Sequence, residues 1–279
     1  MSVATPLVQT FFDPATGTFS YVVADPVTRL AAIIDPVLDY DAVTRSTSAR
    51  SAQGLLDHVS KNALVVHWIL ETHAHADHLS AAQWLKERLP AARVGIGEGI
   101  RQVQAAFKNK LGLEADFPTD GRQFDVLLGE NERLAMGSLE IRVMSTPGHT
   151  PDSVSYLIGD AAFVGDTIFA PRYGTARCDF PGGDAGILYD SIQRLLHLPA
   201  STRVFLCHDY PPEGVSPQHL TDPVSLRDQN IHLPDGVTRE QFVAMREARD
   251  ATLKEPRLLE ASLRANVRAG RLDDAYFRR

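Results

Sequence analysis

Residues 72–78 constrain this chain more than any other segment, because they read Thr-His-Ala-His-Ala-Asp-His. Three histidines and one aspartate, all able to bind a metal ion, lie there within six residues and are separated only by alanines. A buried polar group without a partner costs roughly 2–7 kcal/mol, so a hydrophobic core cannot hold four of them unpaired. In extended backbone, His73 and His75 point to the same side of the chain. The segment therefore predicts a metal site.

This segment stands at the end of a predicted strand. Residues 63–70 form an almost continuous apolar run, typical of a strand covered on both faces, and leucines at helical spacing follow as far as Pro90. Three further polar segments each follow a predicted strand: 146–150 (Thr-Pro-Gly-His-Thr), 165–167 (Gly-Asp-Thr) and 207–209 (Cys-His-Asp). Side chains at the carboxyl ends of strands commonly form the ligand site of an α/β sheet. We therefore expect the four segments to meet at one site.

The rest of the chain alternates between strand and helix patterns. Short apolar segments bounded by turn residues predict strands at residues 7–12, 20–24, 31–34, 93–96, 123–128, 133–135, 140–145, 153–158, 161–164 and 203–206. Helical spacing occurs in residues 51–59, 79–89 and 187–196, and from residue 238 onward with a break near Pro256. This order predicts a layered α/β domain with helices near the C-terminus packed on it.

Composition narrows the possible functions. The chain has 279 residues and a formal net charge of -7, and it lacks the basic stripe that nucleic-acid-binding proteins carry. Its two cysteines, Cys178 and Cys207, are too few to stabilise a secreted chain of this size. The first residues have no signal-peptide pattern, and no apolar stretch is long enough to span a membrane. We therefore expect a soluble, cytoplasmic protein with neither nucleic acid nor a membrane as its partner.

In this order and spacing, the four polar segments resemble the metal-binding motifs of the metallo-β-lactamase superfamily, and the resemblance covers roughly residues 5–215. It implies an α/β fold, the αβ/βα four-layer sandwich. Residues 1–215 would form the catalytic domain, and residues 216–279 a C-terminal helical extension packed on the same domain. The resemblance also implies two metal sites that share a carboxylate: His73, His75 and His149 at the first, Asp77, His78 and His208 at the second, and Asp166 between them.

Two glutathione-related branches of the superfamily fit this chain best. The β-lactamases are exported, and the nuclease branches carry a second large domain for which this chain has no room. The remaining branches are the thioester hydrolases of the glyoxalase II type and the persulfide dioxygenases, the group that contains the human ethylmalonic encephalopathy protein.

Three details resemble the persulfide dioxygenases, and the bacterial ones most. Ala76 stands where glyoxalases usually carry a bulky residue. Residues 175–180, Thr-Ala-Arg-Cys-Asp-Phe, resemble a Cys-Gly-Arg-Thr-Asp-Phe segment, although Thr175 and Cys178 exchange the types found there, which argues against a thiol role. Residues 265–270, Ala-Asn-Val-Arg-Ala-Gly, are similar to a C-terminal Asn-x-Arg-x-Gly segment.

The resemblance implies one Fe(II) per chain, held by His73, His149 and Asp166. Two histidines and one carboxylate leave coordination positions open, as is typical of non-haem iron oxygenases. The implied substrates are glutathione persulfide and O₂, and the implied products are sulfite and glutathione, a step of sulfide oxidation. The remaining polar residues of the motifs would orient the ligands through hydrogen bonds. They are His75, Asp77, His78 and His208.

Two other functions would use the same residues. The four surrounding residues could instead bind a second metal ion, which gives a thioester hydrolase with two Zn²⁺, a hydroxyacylglutathione hydrolase. A non-enzymatic sensor would use the iron site alone. The resemblance implies a homodimer at most.

Several residues near the motifs are candidates for catalysis and substrate binding. The catalytic candidates are Asp77, His208 and Tyr210. Arg177 is predicted to bind a carboxylate of glutathione, because its planar fork suits bidentate pairing, and an ion pair with Asp179 is the alternative. Arg268 and Tyr210 are further candidates for substrate contact, and Tyr210 is alternatively a packed aromatic residue.

Overall fold

The computed structural model of the protein describes residues 5–234 and 236–278. These residues contain fifteen strands. They are β1 (Leu7–Asp13), β2 (Thr18–Ala24), β3 (Leu30–Ile34), β4 (Val37–Asp41), β5 (Ser46–Ser48), β6 (Val65–Leu70), β7 (Leu79–Ser80), β8 (Arg93–Gly97), β9 (Val126–Leu128), β10 (Arg133–Met136), β11 (Leu139–Ser145), β12 (Val154–Ile158), β13 (Ala161–Phe163), β14 (Arg203–Phe205) and β15 (Leu220–Thr221).

Seven helices lie between and after these strands in the described part of the chain. They are α1 (Arg50–Lys61), α2 (Ala82–Arg88), α3 (Ile100–Lys110), α4 (Ala185–Leu196), α5 (Pro223–Gln229), α6 (Arg239–Asp250) and α7 (Leu259–Asn266). Three of them begin at a side chain that accepts a backbone N–H bond, as helix N-termini require: Asp184, Asp222 and Thr238. None of the helices that the structure describes is long and apolar enough to cross a membrane.

Two six-stranded sheets form the centre of the molecule, in the orders β1-β2-β3-β6-β8-β9 and β10-β11-β12-β13-β14-β15. Strand β2 is buried along its whole length because it faces a core on either side. Tyr21 and Val23 point towards the second sheet, whereas Val22 points towards the outer helices, as the alternation of side chains along a strand requires. The rings of Tyr21 and Phe163 meet between the sheets with centroids 5.1 Å apart.

Helices cover the outer face of each sheet. Leu55 of α1 and Phe107 of α3 belong to the core outside the first sheet, together with residues of α7. Leu188 of α4 and Phe242 of α6 belong to the core outside the second sheet. The predicted four-layer sandwich is therefore confirmed. The boundary between the two predicted segments at residue 215 stays a prediction.

The structure differs from the predicted elements after the metal-binding motif, in the start of one helix and in the presence of another. The predicted helix over residues 79–89 begins only at Ala82, because Leu79–Ser80 pair with Val37–Leu38 of β4 in a small third sheet. Helix α3 was not predicted, although its buried residues Ile100, Val103 and Phe107 have helical spacing.

Helix α7 is bound to the 72–78 motif through Asn266. The Asn266 side-chain amide donates hydrogen bonds to the carbonyls of His75 and His78, both at 2.8 Å, and its oxygen accepts from the Ser80 N–H at 2.8 Å. Asn266 is buried, so no water satisfies these three backbone groups in its place. The C-terminal helix thus fixes the backbone that carries the histidines.

Asn266→Ala should destabilise the fold strongly. The substitution leaves three buried backbone groups without partners, and each such loss costs about 1–3 kcal/mol. We expect the free energy of unfolding in urea to fall by about 3 kcal/mol or more. Asn109→Ala, on the exposed face of α3, is the matched control and should change it by less than about 0.5 kcal/mol. Equal effects of the two substitutions would contradict the anchoring role of Asn266.

Candidate metal centre

The four polar segments meet at one edge of the sandwich. The 72–78 motif follows β6 of the first sheet, whereas the segments that carry His149, Asp166 and His208 follow β11, β13 and β14 of the second sheet. Thr18 of β2 bridges to His208, which brings the two sheets together at this point. The site therefore takes its side chains from both sheets.

His73, His149 and Asp166 form the first group, with one ligand atom of each within 4.8 Å of the others. The Nε2 atoms of His73 and His149 lie 3.9 and 3.8 Å from Asp166 Oδ2. His149 Nδ1 lies 2.7 Å from the Arg177 carbonyl and donates to it, which leaves the His149 Nε2 lone pair directed at the group. This tautomer is the one that a metal-binding histidine requires.

The second group is linked to the first through Asp166, which clusters with His208 and Cys207 as well as with His73 and His149. It comprises His75, Asp77, His78 and His208. His208 Nε2 lies 3.3 Å from Asp77 Oδ2 and 3.3 Å from Asp166 Oδ1, so the two oxygens of Asp166 face different groups. The resemblance places His75 at the first site, whereas its ligand atom here clusters with the second group, and its Nε2 bonds Asp35 Oδ1 at 3.0 Å.

Several buried atoms of the two groups have no hydrogen-bond partner in the part of the chain that the structure describes. They are His73 Nε2, His75 Nδ1, His78 Nε2, Asp166 Oδ1 and His208 Nε2. Burial lowers the pKa of His73 and His75 and raises the pKa of the Asp166 carboxyl, so the protein by itself disfavours the charged forms of these three groups. A metal cation supplies the charge and the partners that these atoms lack, and the residues therefore fit a metal ion.

Buried carboxylates support the ligands from behind. Asp35 accepts hydrogen bonds from the Thr72 N–H at 2.7 Å and the Thr72 hydroxyl at 2.9 Å, in addition to its bond with His75. Asp152 accepts from the Ala74 N–H at 2.7 Å, and burial raises the pKa of Asp152 to about 6. The turn between His73 and His75 is thus held from two sides. Neither carboxylate was predicted, because each lies outside the motifs.

A cavity of about 440 Å³ opens over the two groups, a size that accommodates a small molecule. Among the predicted site residues it is lined by Asp77, His149, Asp166, Arg177, His208 and Tyr210. The Tyr210 ring stacks on His208 with centroids 6.0 Å apart, and its hydroxyl lies 3.4 Å from Asp77 Oδ2. Tyr210 therefore combines both predicted alternatives, since it packs on a ligand and also faces the cavity.

The two arginines predicted to bind substrate have other partners. Arg177 lines the cavity, but its Nε and Nη2 donate to Asp179, each at 2.6 Å, and its Nη1 donates to the Lys254 carbonyl at 2.8 Å. The alternative of an ion pair with Asp179 is thus the observed arrangement. Arg268 does not line the cavity, and its largely buried guanidinium pairs with Glu114 at 2.8 Å. Substrate contact by Arg268 stays a prediction.

Known proteins resemble this chain along most of its length. The family model described as the metallo-beta-lactamase superfamily matches residues 14–208. The chain is 47% identical to "Glyoxylase B2" of Dictyostelium discoideum over 95% of this chain and 91% of that protein. It is 26% identical to the mitochondrial persulfide dioxygenase ETHE1 of Mus musculus over 96% and 91%. The crystal structure of ETHE1 from Myxococcus xanthus matches 95% of this chain and all of its own, with 30% identity and a TM-score of 0.75.

Asp152→Ala should weaken metal binding without touching a ligand. Loss of its carboxylate frees the Ala74 N–H and loosens the turn that carries His73 and His75. Residues that orient metal ligands typically contribute 10–100-fold in affinity, and we expect a loss within about that range. Competition with a chromophoric chelator measures it. Asp116→Ala, at an exposed position, should leave the affinity unchanged, and an unchanged affinity in Asp152→Ala would refute the role of Asp152.

Proposed function

The chain belongs to the metallo-beta-lactamase superfamily, and on that premise we propose that it is an iron-dependent dioxygenase that oxidises the persulfide of glutathione. The composition of the first group carries the proposal: two histidines and one carboxylate, His73, His149 and Asp166. This is the ligand set of non-haem Fe(II) oxygenases, which leaves positions open for a substrate and O₂. His75, the histidine that would make a third, has its ligand atom among those of the second group, while its Nε2 bonds Asp35.

The proposed reaction consumes glutathione persulfide, O₂ and water and yields glutathione, sulfite and two protons. The terminal sulfur is oxidised, both atoms of O₂ end on it, and the third oxygen of sulfite comes from water. The sulfur–sulfur bond breaks, and its electron pair leaves with the glutathione sulfur, which takes up a proton. Iron, when bound, supplies the redox chemistry with O₂, and the protein supplies the binding site.

Two aromatic rings of the cavity wall would lie beside a bound sulfur atom. Phe180 packs edge-on against His149 with centroids 5.3 Å apart, and Phe169 packs edge-on near His208 at 6.3 Å. These rings make the surface on either side of the ligands apolar. The small side chain of Ala76 lines the same cavity and leaves room for the substrate. An apolar surface beside the ligands suits the polarisable sulfur of a persulfide better than it suits a strongly hydrated group.

Tyr210 and His208 would act on the substrate from the second group. Burial raises the pKa of Tyr210, so its hydroxyl stays protonated and can donate a hydrogen bond to the reacting sulfur or to its oxygens. His208 lies between Asp77 and Asp166, and it would steady the Asp166 oxygen that does not face the first group. In this function Asp77 orients His208 and Tyr210.

A thioester hydrolase is the second candidate function, and the completeness of the second group favours it. All four of its residues offer ligand atoms within 4.8 Å, and Asp166 stands where it could bridge two ions. With two Zn²⁺ such a site would activate water for attack on a thioester of glutathione. The relative named Glyoxylase B2 also supports this candidate.

The metal content of the purified protein distinguishes the two candidate functions. We expect protein purified from iron-supplemented cells to hold about one iron per chain. His149→Ala should abolish iron binding, whereas His208→Ala should retain iron and lower the rate by about 10–100-fold, because His208 then only orients a ligand. His197→Ala, an exposed histidine at the end of α4, is the control. Two zinc ions per chain, with both required for activity, would contradict the mononuclear proposal.

The reaction class is tested on one iron-loaded sample with two substrates. Glutathione persulfide should cause equimolar oxygen uptake and sulfite release at an oxygen electrode, because the open positions of the first group admit both sulfur and O₂. S-lactoylglutathione should be hydrolysed slowly or not at all. Rapid thioester cleavage without oxygen uptake would instead establish the hydrolase.

A further inference from the structure

The cavity over the metal centre contains four arginines, and they differ in what they bind. Arg177, Arg246, Arg249 and Arg257 all line it. Arg246 is buried, and its Nε and Nη2 donate to Asp250 while its Nη1 donates to the Thr175 carbonyl. With Arg177 held by Asp179, two of the four charges are already neutralised within the protein.

Arg249 and Arg257 are the other two. Neither guanidinium group forms a hydrogen bond or an ion pair with a residue of 5–234 or 236–278, although the Arg249 backbone carbonyl accepts from Thr252. Both are exposed and lie on the side of the cavity formed by the C-terminal part of the chain, Arg249 in the last turn of α6 and Arg257 in the segment before α7. Their guanidinium groups are therefore free to bind an anion that enters the cavity.

The rest of the molecule repels an anion. The chain carries a formal net charge of -7, and two carboxylates, Asp77 and Asp166, lie on the metal side of the cavity. Among the side chains that line the cavity, the unpaired guanidinium groups are therefore the ones that attract an anion. A negatively charged substrate would place its sulfur at the metal group and its carboxylate at the opposite rim.

We infer that Arg249 and Arg257 form a carboxylate-binding subsite, which selects thiol-derived substrates that carry an acid group remote from the sulfur. The choice of glutathione as the probe rests on the proposed function. Arg177 is a positioning residue in this arrangement. Its bond to the Lys254 carbonyl ties the 175–180 segment, next to the metal, to the loop that carries Arg257.

The test measures binding rather than turnover. S-methylglutathione, which has no persulfide sulfur to oxidise and no thioester to hydrolyse, is titrated calorimetrically into the iron-loaded full-length protein. Arg249→Gln and Arg257→Gln should each weaken its binding by about tenfold, the usual size of a charge-assisted hydrogen bond. Arg101→Gln, an exposed arginine of α3 outside the cavity, is the matched control and should bind like the wild type.

The diethyl ester of S-methylglutathione completes a double-mutant cycle. It lacks the carboxylates, so it should bind the wild type weakly, and neither arginine substitution should weaken it further. Arg177→Lys loses the planar fork and should weaken acid and ester to the same extent, while also lowering the midpoint of thermal unfolding.

Three results would overturn the subsite: wild-type affinity for the acid in both variants, equal losses for acid and ester in them, or no binding of S-methylglutathione to the wild type. Failure of the proposed function looks different. A protein that takes up no oxygen with glutathione persulfide but shows the acid-specific loss retains the subsite and lacks the dioxygenase activity.

Discussion

The arrangement of this molecule depends on the burial of seven imidazole and carboxylate side chains at one edge of two packed sheets. They are His73, His75, Asp77, His78, His149, Asp166 and His208. Burial lowers the pKa of His73, His75 and His78 and raises the pKa of Asp166, and several buried atoms have no partner in the described part of the chain. Such a site is costly to fold, so its geometry has to be imposed by the surrounding structure. The strands of both sheets and helix α7 impose it.

The support comes from polar groups behind the ligands. Asp35 and Asp152 hold the turn of the 72–78 motif through backbone N–H groups, and Asn266 holds the carbonyls on its other side. Because each contact reaches the backbone, the positions of the histidines are fixed before a metal ion binds. Such preorganisation reduces the cost of ordering the ligands when the ion arrives. The C-terminal helix is therefore part of the metal centre, although it supplies none of the ligand atoms.

Local pattern predicted a layered α/β domain and the meeting of the four segments, because strand alternation and ligand spacing are properties of neighbouring residues, and the resemblance to the superfamily implied the four-layer sandwich. The supporting contacts could not be predicted in this way, since Asn266 follows His75 by 191 residues and Asp152 follows Ala74 by 78. Residues 265–270 resemble a C-terminal dioxygenase segment, and within them the sequence predicts substrate contact for Arg268 and no structural role for Asn266. In the structure the Arg268 guanidinium lies over the Phe117 ring and pairs with Glu114, so it does not reach the cavity.

The side chains of the metal centre bear on the class of reaction, whereas those at the cavity rim bear on the choice of substrate. At the metal, the choice between oxidation and hydrolysis depends on His75. Its Nε2 bonds Asp35, its Nδ1 has no partner, and its ring lies 3.9 Å from that of His73. If His75 binds only with the second group, the first keeps two histidines and one carboxylate, which suit iron, whereas a third histidine there would suit zinc. At the rim, the free charges belong to α6 and the segment after it, which lie outside the family match at residues 14–208. Substrate choice can therefore change through this C-terminal part while the ligands stay the same, so relatives that share every ligand need not share a substrate.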